Sequence, residues 1–410
     1  MIELGLGRIS RLIRHTPQSW KALHVAGTNG KGTICAYLSA MLHASGVRCG
    51  RFTSPHLIDR WDCISINEHP VRESVFKEAE ALVMKRNQTE GLQASEFELL
   101  TATAFEVFAQ EKIEIGVIEV GLGGRLDATN AMEHKAVTVI SKIGLDHQSF
   151  LGNTIEEIAR QKAGIMRPGV PCVLDRTNPE SVRRVVEDHG KEIGADVILR
   201  STESSLLDEL SEEDFEPHQW QNLACAYTAF QLAYTKLELP IHRLLPAIRN
   251  INWPGRQQTI NIRSLTGRRE TVLLDGAHNV QSAEALGSYV DGRLRKNGEG
   301  RVTWILATSQ GKELDGILKH LLRPEDSVAA VQFGPVDGMP WVSAMESSDV
   351  LAATSAAGVE ATQQYDAGTD LQGALRWAVS VAAGGPMVIA GSLYLVSDVL
   401  RLLRHAESGS

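Results

Sequence analysis

The chain has 410 residues, which is too long for one ordinary hydrophobic core and predicts two domains. Hydrophobic residues make up 43% and charged residues 22%, a composition that excludes a disordered chain. The net charge of −9 argues against a general nucleic-acid binder, because neutralising a phosphate backbone needs a basic surface.

The first predicted element is a helix in the N-terminal residues. Arg8, Arg11 and Arg14 recur at helical spacing, a pattern that a transit peptide also shows. Glu3 and the closeness of the first strand favour a helix that opens a domain. The five cysteines of the chain lie far apart without a Cys-x-x-Cys pair, so we expect reduced thiols and a cytoplasmic protein.

A phosphate-binding loop is the interpretation of residues 23–42, "LHVAGTNGKGTICAYLSAML". A strand end, a glycine-rich turn with a lysine and a helix start form an arrangement that binds phosphate through backbone N–H groups and the helix N-terminus. The spacing is shorter than usual between the first two glycines, and a glycine separates the lysine from the threonine. A plain turn with a surface lysine is the alternative. The predicted loop residues are Gly27, Thr28, Asn29, Gly30, Lys31, Gly32 and Thr33.

Short β-branched runs then alternate with helical patterns through the first half of the chain. The runs at 114–121, 136–144 and 170–175 have the continuous apolar character of strands buried on both faces. Helical patterns cover 96–111 and 153–164, the latter opened by an Asn-Thr cap. The alternation predicts a mostly parallel sheet with helices on both sides.

Polar residues follow several of these strands. Ser54 comes after the second strand, where ligand loops of α/β sheets gather, but the residues alone favour a capping turn there. Glu119 lies within an apolar strand, where an unpaired carboxylate is costly. Asp146 and His147 follow the next strand. Together these residues favour a divalent-metal site beside a triphosphate, and a buried Glu–His pair is the alternative.

Lys162 lies near the end of the helix at 153–164. A lysine in the last turn commonly just complements the helix dipole. It could instead face the phosphates as a cation, or bind a second metal as a carbamate. The residues alone favour the dipole interpretation.

The second half of the chain repeats the α/β alternation. We interpret 176–217 as a polar peripheral excursion, followed by a helix and by a Pro-Gly turn at 252–258 that suits a domain junction. The charge-free run at 377–396 contains Gly-Gly-Pro, so we expect a helix end, a turn and a buried strand there, not a membrane span. The predicted division is a first domain at 1–255, a second domain at 256–404 and a disordered tail at 405–410.

Eight ordered blocks carry a resemblance that covers nearly the whole chain. They are "HVAGTNGKGT", "TSPHL", "EVGLGGRLDATN", "LDHQSFLG", "KAGI", "PGR", "LDGAHN" and "GSLYL". The chain resembles the folylpolyglutamate synthase and dihydrofolate synthase family of Mur-ligase-like enzymes, in which the short phosphate loop is the usual form. Within that family, "IELGLGRIS" and "SEFELLTATAF" look most like the fungal dihydrofolate synthases.

The resemblance implies a fold, a reaction and roles for particular residues. The fold would be an α/β domain of the P-loop type, with a mostly parallel sheet flanked by helices, plus a smaller C-terminal Rossmann-like domain. The phosphate loop would hold ATP, further ATP contacts would come from Asn222, Arg256 and Asp275, and Mg²⁺ would be arranged by Ser54, Glu119 and His147. The incoming glutamate would lie near His278 and Ser392, and the pterin acceptor near Phe97, Glu98, Arg125 and Asp127.

The implied chemistry is ATP-dependent ligation of L-glutamate to 7,8-dihydropteroate through an acyl phosphate. Lys31, Lys162, Arg256 and His278 are the implied catalytic residues, with Lys162 matching a lysine that related enzymes carbamylate. Gly311 departs from the family's pattern, because it replaces an aspartate that many relatives carry.

Three functional hypotheses stay open at this point. They are dihydrofolate synthase, folylpolyglutamate synthase (or both activities in one chain), and a non-catalytic nucleotide-binding protein. The intact second-domain residues argue against the last. We expect small-molecule substrates, a monomer, and no nucleic-acid or membrane partner.

Overall fold

The computed structural model describes residues 5–200, 215–234, 241–251, 253–295 and 300–408. The chain divides into two compact units, one formed by Met1–His56 and Trp61–Ile251 and the other by Leu57–Arg60 and Asn252–Ser410. The second unit therefore includes four residues from the first half of the chain, which the predicted boundary after residue 255 does not anticipate. Leu57 packs against the core of the second unit.

The first unit is built on one eight-stranded sheet. Its strands are β1 (Lys21–Ala26), β2 (Cys49–Phe52), β3 (Ile64–Ile66), β4 (His69–Pro70), β5 (Ile115–Glu119), β6 (Lys135–Ile140), β7 (Cys172–Asp175) and β8 (Val197–Arg200). The spatial order is β4-β3-β2-β5-β1-β6-β7-β8. The six strands from β2 to β8 in this order pair in parallel, and only β3 and β4 pair antiparallel. The predicted mostly parallel sheet is confirmed.

Helices cover both faces of this sheet because the strands are apolar on both sides. The helices are α1 (Gly7–Ile13), α2 (Lys31–Ala44), α3 (Glu73–Glu90), α4 (Glu96–Gln110), α5 (Gln148–Leu151), α6 (Ile155–Ala163), α7 (Glu180–Ile193), α8 (Pro217–Ala233) and α9 (Ile241–Arg249). Leu23 and Val25 of β1 belong to the core formed with α2 and α8. Ala22, which points to the opposite face, belongs to the core formed with α1 and α4.

Residues 176–200 correct the predicted polar excursion. Helix α7 buries Val182 and Val186, and strand β8 pairs in parallel with β7 at the edge of the sheet. The segment is rich in charged residues but also carries a narrow apolar stripe that packs against the core. Its overall composition therefore suggests a surface loop, although the segment forms a helix and a strand. Residues 201–214 lie outside the described residues.

The second unit has its own six-stranded sheet. Its strands are β9 (Gln258–Ile260), β10 (Val272–Leu274), β11 (Thr303–Leu306), β12 (Ser327–Ala330), β13 (Gln364–Asp366) and β14 (Met387–Ala390), in the order β13-β12-β11-β14-β10-β9. Its helices are α10 (Arg263–Thr266), α11 (Val280–Arg293), α12 (Leu314–Leu321), α13 (Ser347–Ala356), α14 (Leu371–Ala382) and α15 (Leu393–Ser408). Only β9 pairs antiparallel, so the predicted Rossmann-like α/β arrangement is confirmed.

Two expectations for the end of the chain have different outcomes. The charge-free run at 377–396 forms the end of α14, a turn and the buried strand β14, as predicted. Helix α15 continues to Ser408, so the predicted disorder is wrong for 405–408. The helix persists because no glycine or proline interrupts it before Gly409. Among the described residues, no helix is both long and apolar enough to span a membrane.

Candidate active site

The glycine-rich loop lies between the carboxyl end of β1 and the first turn of α2. Two of its backbone amides, those of Thr28 and Asn29, donate to the carbonyl oxygen of Lys142, at 2.8 and 3.2 Å. The Ser141 hydroxyl donates to the Asn29 carbonyl at 2.7 Å. The end of β6 therefore holds the loop in place. Helix α2 begins at Lys31, so Lys31, Gly32 and Thr33 form its first turn.

Two glycines of the loop are required by close neighbours. A Cβ added to Gly27 would lie 1.7 Å from the Ser141 Oγ. Gly30 has a φ of +86°, and a Cβ there would lie 2.3 Å from the Asn222 Oδ1 of α8. The left-handed backbone at Gly30 itself favours glycine. The structure thus places Asn222, which the sequence associates with ATP, directly against the loop.

Lys31, Glu119 and Ser54 lie together at the carboxyl ends of β1, β5 and β2. The Lys31 Nζ lies 3.9 Å from the Glu119 Oε1 and donates to the Thr28 carbonyl at 3.1 Å. The backbone N–H of Ser54 donates to the Glu119 Oε2 at 3.2 Å. A lysine and a backbone amide therefore balance the buried carboxylate, and the lysine is a cation of the kind that a carboxylate in an apolar strand requires.

The third predicted metal residue, His147, opens the short helix α5. It adopts a φ of +51°, and its Nε2 lies 3.9 Å from the Asp146 Oδ2. About half of its side chain is exposed. Within the described part of the chain, no three His, Cys, Asp or Glu side chains gather closely enough to hold a metal ion. The few oxygen ligands present suit Mg²⁺, which keeps several waters and takes the rest of its ligands from phosphate.

Lys162 is buried in the last turn of α6, with 5% of its surface exposed. Its Nζ donates to the carbonyl oxygen of Gly27 in the phosphate loop at 2.7 Å. Burial, followed by repulsion from Lys31, lowers the pKa of Lys162 from 10.5 to about 7. A lysine that merely complements the helix dipole would be exposed and charged, so this environment disfavours the dipole interpretation.

Phe97 and Glu98 form part of the first turn of α4. The Phe97 ring stacks on Phe52 with a centroid separation of 6.2 Å. Ser95 and Glu98 form a reciprocal capping box, in which the Glu98 Oε2 accepts the Ser95 N–H at 2.8 Å. The two predicted acceptor residues therefore sit at a well-fixed helix start.

Arg125 and Asp127 belong to the loop that follows β5, and their side chains differ in exposure. Arg125 is exposed, and its backbone N–H donates to the Gln161 carbonyl of α6 at 2.8 Å. Asp127 is 1% exposed, and its carboxylate accepts the N–H groups of Leu122 and Thr129 at 2.7 and 3.0 Å. These bonds close the loop, and burial raises the pKa of Asp127.

The remaining predicted residues form a second cluster, within the second unit. The Asp275 carboxylate accepts the backbone N–H groups of Gln257 and Ala277, at 2.7 and 2.8 Å. A Cβ added to Gly276 would lie 2.6 Å from an Arg256 guanidinium nitrogen, and the Gly276 carbonyl lies 3.0 Å from the His278 Nδ1. Ser392 follows β14, the strand beside β10, and its buried Oγ accepts the Tyr394 N–H at 3.1 Å.

Several residues that support these clusters were not predicted. Arg8 pairs with Glu98, His24 lies 2.8 Å from the Thr129 hydroxyl, and Asn130 donates to the Gly164 carbonyl at 3.1 Å. Each contact joins segments distant in sequence. A capping-box pattern indicates Ser95 in advance, but no local pattern indicates the other contacts.

Comparisons with known proteins agree over the length of the chain. A family described as "Dihydrofolate synthetase, C-terminal domain" matches residues 258–402. The chain is 36% identical to the probable dihydrofolate synthetase of Schizosaccharomyces pombe, over 98% of this chain and 99% of that protein. It is 37% identical to the dihydrofolate synthetase of Saccharomyces cerevisiae, over 98% of both. One similar solved structure is the bifunctional folylpolyglutamate synthase/dihydrofolate synthase of Yersinia pestis, complexed with AMPPNP and Mn ion. It superposes with a TM-score of 0.79 and is 27% identical, over 98% of this chain and 94% of that chain.

Proposed function

This chain belongs to the folylpolyglutamate synthase and dihydrofolate synthase family, and we propose that it joins L-glutamate to 7,8-dihydropteroate as a dihydrofolate synthase. It is an ATP-dependent ligase of folate synthesis that uses a divalent metal ion. The observation that carries the choice of acceptor is the full-length likeness to two fungal dihydrofolate synthetases, together with the matching C-terminal family.

The reaction needs activation because a carboxylate and an amine do not condense in water at neutral pH. A carboxylate oxygen of the acceptor attacks the γ-phosphorus of ATP, and ADP leaves, which gives an acyl phosphate. The amino group of glutamate then attacks the acyl carbon, and phosphate departs with that carboxylate oxygen. Positioning and charge neutralisation carry such a sequence, without a protein nucleophile.

We assign the phosphate-binding role to the loop Gly27–Thr33 and the metal-binding role to Ser54, Glu119 and His147. The Lys31 ammonium, at the start of α2 and beside Glu119, supports this assignment because it can face a phosphate oxygen from the same place. A divalent ion there supplies neutralisation of the charge that develops on the phosphates. The oxygen atoms of Ser54 and Glu119 are of the type that Mg²⁺ prefers.

The remaining assignments are Asn222 in the first unit and four residues of the second unit. We propose that Asn222, Arg256 and Asp275 contact ATP, and that His278 and Ser392 bind glutamate. Asp275 is held by two backbone N–H groups, and His278 lies on the same turn. Groups held in place in this way can bind a ligand without first having to be ordered.

Lys162 is proposed to act as a carbamate. Its lowered pKa leaves a neutral amine, which attacks CO₂ through nitrogen and releases one proton to solvent. The product is an anion at the edge of the phosphate loop, where it can share in metal binding. Arginine cannot form this group, since it stays protonated.

The acceptor assignment is tested by comparing kcat/KM for 7,8-dihydropteroate and for tetrahydrofolate with saturating ATP and glutamate. We expect dihydropteroate to be preferred by at least about tenfold, a difference of about 1.4 kcal/mol. The Lys31→Ala variant is the control for background ATP hydrolysis. A preference for tetrahydrofolate would transfer the assignment to folylpolyglutamate synthase.

A bifunctional enzyme is the second candidate, because the Yersinia pestis relative carries both names. Comparable kcat/KM values for the two acceptors would support it. We also propose a cytoplasmic monomer, on the basis of five free and buried cysteines and of a complete residue set within one chain. Light scattering coupled to size exclusion would measure the mass.

A further inference from the structure

A partly buried ion pair joins the first helix of the chain to the acceptor region. The Arg8 Nε of α1 donates to both carboxylate oxygens of Glu98, at 2.9 Å to Oε2 and 3.2 Å to Oε1. Glu98 is 4% exposed, whereas about a quarter of the Arg8 side chain reaches solvent. The two residues are 90 positions apart, so the pair fixes tertiary and not local structure.

Glu98 has a second task at the start of α4. Its Oε2 accepts the backbone N–H of Ser95, and the Ser95 hydroxyl accepts the Glu98 N–H at 3.3 Å. Burying the Glu98 carboxylate costs free energy because the group loses its hydration, and the Ser95 N–H replaces only part of that hydration. The Arg8 guanidinium removes that cost, and so keeps the carboxylate in the position where it caps the helix.

The capped turn carries Phe97, whose ring lies on the loop after β5. A Cβ added to Gly121 would lie 2.3 Å from the Phe97 Cζ, so a glycine is needed for the ring to lie there. One face of the ring stacks on Phe52. Gly121 stands two residues after Glu119, and Phe52 two residues before Ser54. The ring is therefore placed between the two segments that carry the proposed metal ligands.

We propose that Arg8 is a positioning residue for the pterin acceptor, which acts by holding Glu98 and thereby the first turn of α4 and the Phe97 ring. The inference rests on the proposed function, because it assumes that Phe97 offers the face not stacked on Phe52 to a flat acceptor. Without Arg8, the Glu98 carboxylate turns toward water and releases the cap. Phe97 then loses its fixed place beside Gly121, while the phosphate loop on α2 stays unchanged.

The test compares Arg8→Gln with Arg11→Ala, which removes an arginine from the same helix. Arg11 is about half exposed and pairs with Glu90, away from α4. For Arg8→Gln we expect the KM for dihydropteroate to rise roughly tenfold or more, with the KM for ATP within about twofold of wild type. For Arg11→Ala we expect both values to stay at the wild-type level.

Two double-mutant cycles separate positioning from general stability. In the Glu98→Gln background, Arg8→Gln should change the acceptor KM by less than about twofold, because no buried charge is left uncompensated. In the Phe97→Leu background it should likewise have little further effect. A full tenfold effect in both backgrounds, or an equal rise in the KM for ATP, would overturn the inference.

Arg8→Lys is a milder substitution that can be measured if Arg8→Gln fails to fold. It keeps the charge but loses the Nε geometry, so we expect an acceptor KM between those of wild type and Arg8→Gln; a KM equal to wild type would contradict the inference. If tetrahydrofolate proves to be the acceptor, the same ratios are measured with it. In that case the proposed function fails, and the inference about Arg8 is judged separately.

Discussion

Lys162 offers the most informative perturbation, because its pKa departs so far from the usual value. With a pKa of about 7, the neutral amine exceeds the ammonium about tenfold at pH 8. An ordinary lysine with a pKa of 10.5 would be about 300 times more often charged than neutral at that pH. The buried environment therefore raises the reactive fraction by more than two orders of magnitude, which is the condition that a carbamate requires.

The sign of the pH dependence follows from the same shift. Because the folded-state pKa is lowered, the amine becomes protonated as the pH falls through about 7, and carbamate formation is lost there. Activity at a fixed CO₂ concentration should therefore decline below pH 7. Removal of dissolved CO₂ at pH 8 should lower activity, and added bicarbonate should restore it.

Substitution distinguishes the carbamate from a simple cation. We expect Lys162→Arg to lose activity by about ten- to a hundredfold, the range for a lost metal-site group. Lys162→Ala should regain part of its activity when formate or acetate is added. Lys191→Arg, at an exposed position, is the matched control. A ¹³C-bicarbonate NMR signal that disappears in Lys162→Ala would identify the adduct, whereas an active Lys162→Arg variant would refute it.

Three further substitutions test the phosphate loop and the metal site. Lys31→Ala should lower the rate of ATP-dependent ligation about 10²–10³-fold. The midpoint of unfolding should not change, because this partly exposed lysine contributes charge and not packing. Phosphate release near the wild-type rate would contradict the assignment. Glu119→Gln should raise the Mg²⁺ concentration needed for half-maximal activity about 10–100-fold. If the Mg²⁺ titration were instead unchanged, Glu119 would be a structural partner of Lys31 and not a metal ligand. Gly30→Ala should weaken ATP binding, because the added Cβ would lie 2.3 Å from the Asn222 Oδ1 and the backbone φ of +86° disfavours alanine. A wild-type ATP affinity, measured by calorimetry, would contradict this expectation.

The sheet and the glycine-rich turn before α2 were predictable because their signals are local. Continuous β-branched runs identify buried parallel strands, and Glu119 stands out because a carboxylate in such a run must have a partner. The identity of that partner was not predictable, since Lys31 and Ser54 lie in segments that follow two other strands, β1 and β2. Parallel topology brings strand ends together, but the sequence does not specify which side chains then meet.

Lys162 and Arg8 show why other features were missed. Lys162 resembles any lysine in a last helical turn, and only the fold reveals that its amine is buried against Gly27. Arg8 was one of three arginines with the same helical spacing, and its contact with Glu98 depends on the packing of α1 on α4. Segment 176–200 was mistaken for a surface excursion because its apolar positions are few.

The proposed reaction requires that ATP activates the acceptor carboxylate as an acyl phosphate. The most direct test uses 7,8-dihydropteroate with ¹⁸O in its carboxylate, together with ATP, Mg²⁺ and L-glutamate, and mass analysis of the released phosphate. Since the phosphate departs with the carboxylate oxygen that attacked it, each turnover should yield phosphate that carries one ¹⁸O atom. Unlabelled phosphate, formed in step with dihydrofolate, would contradict the account.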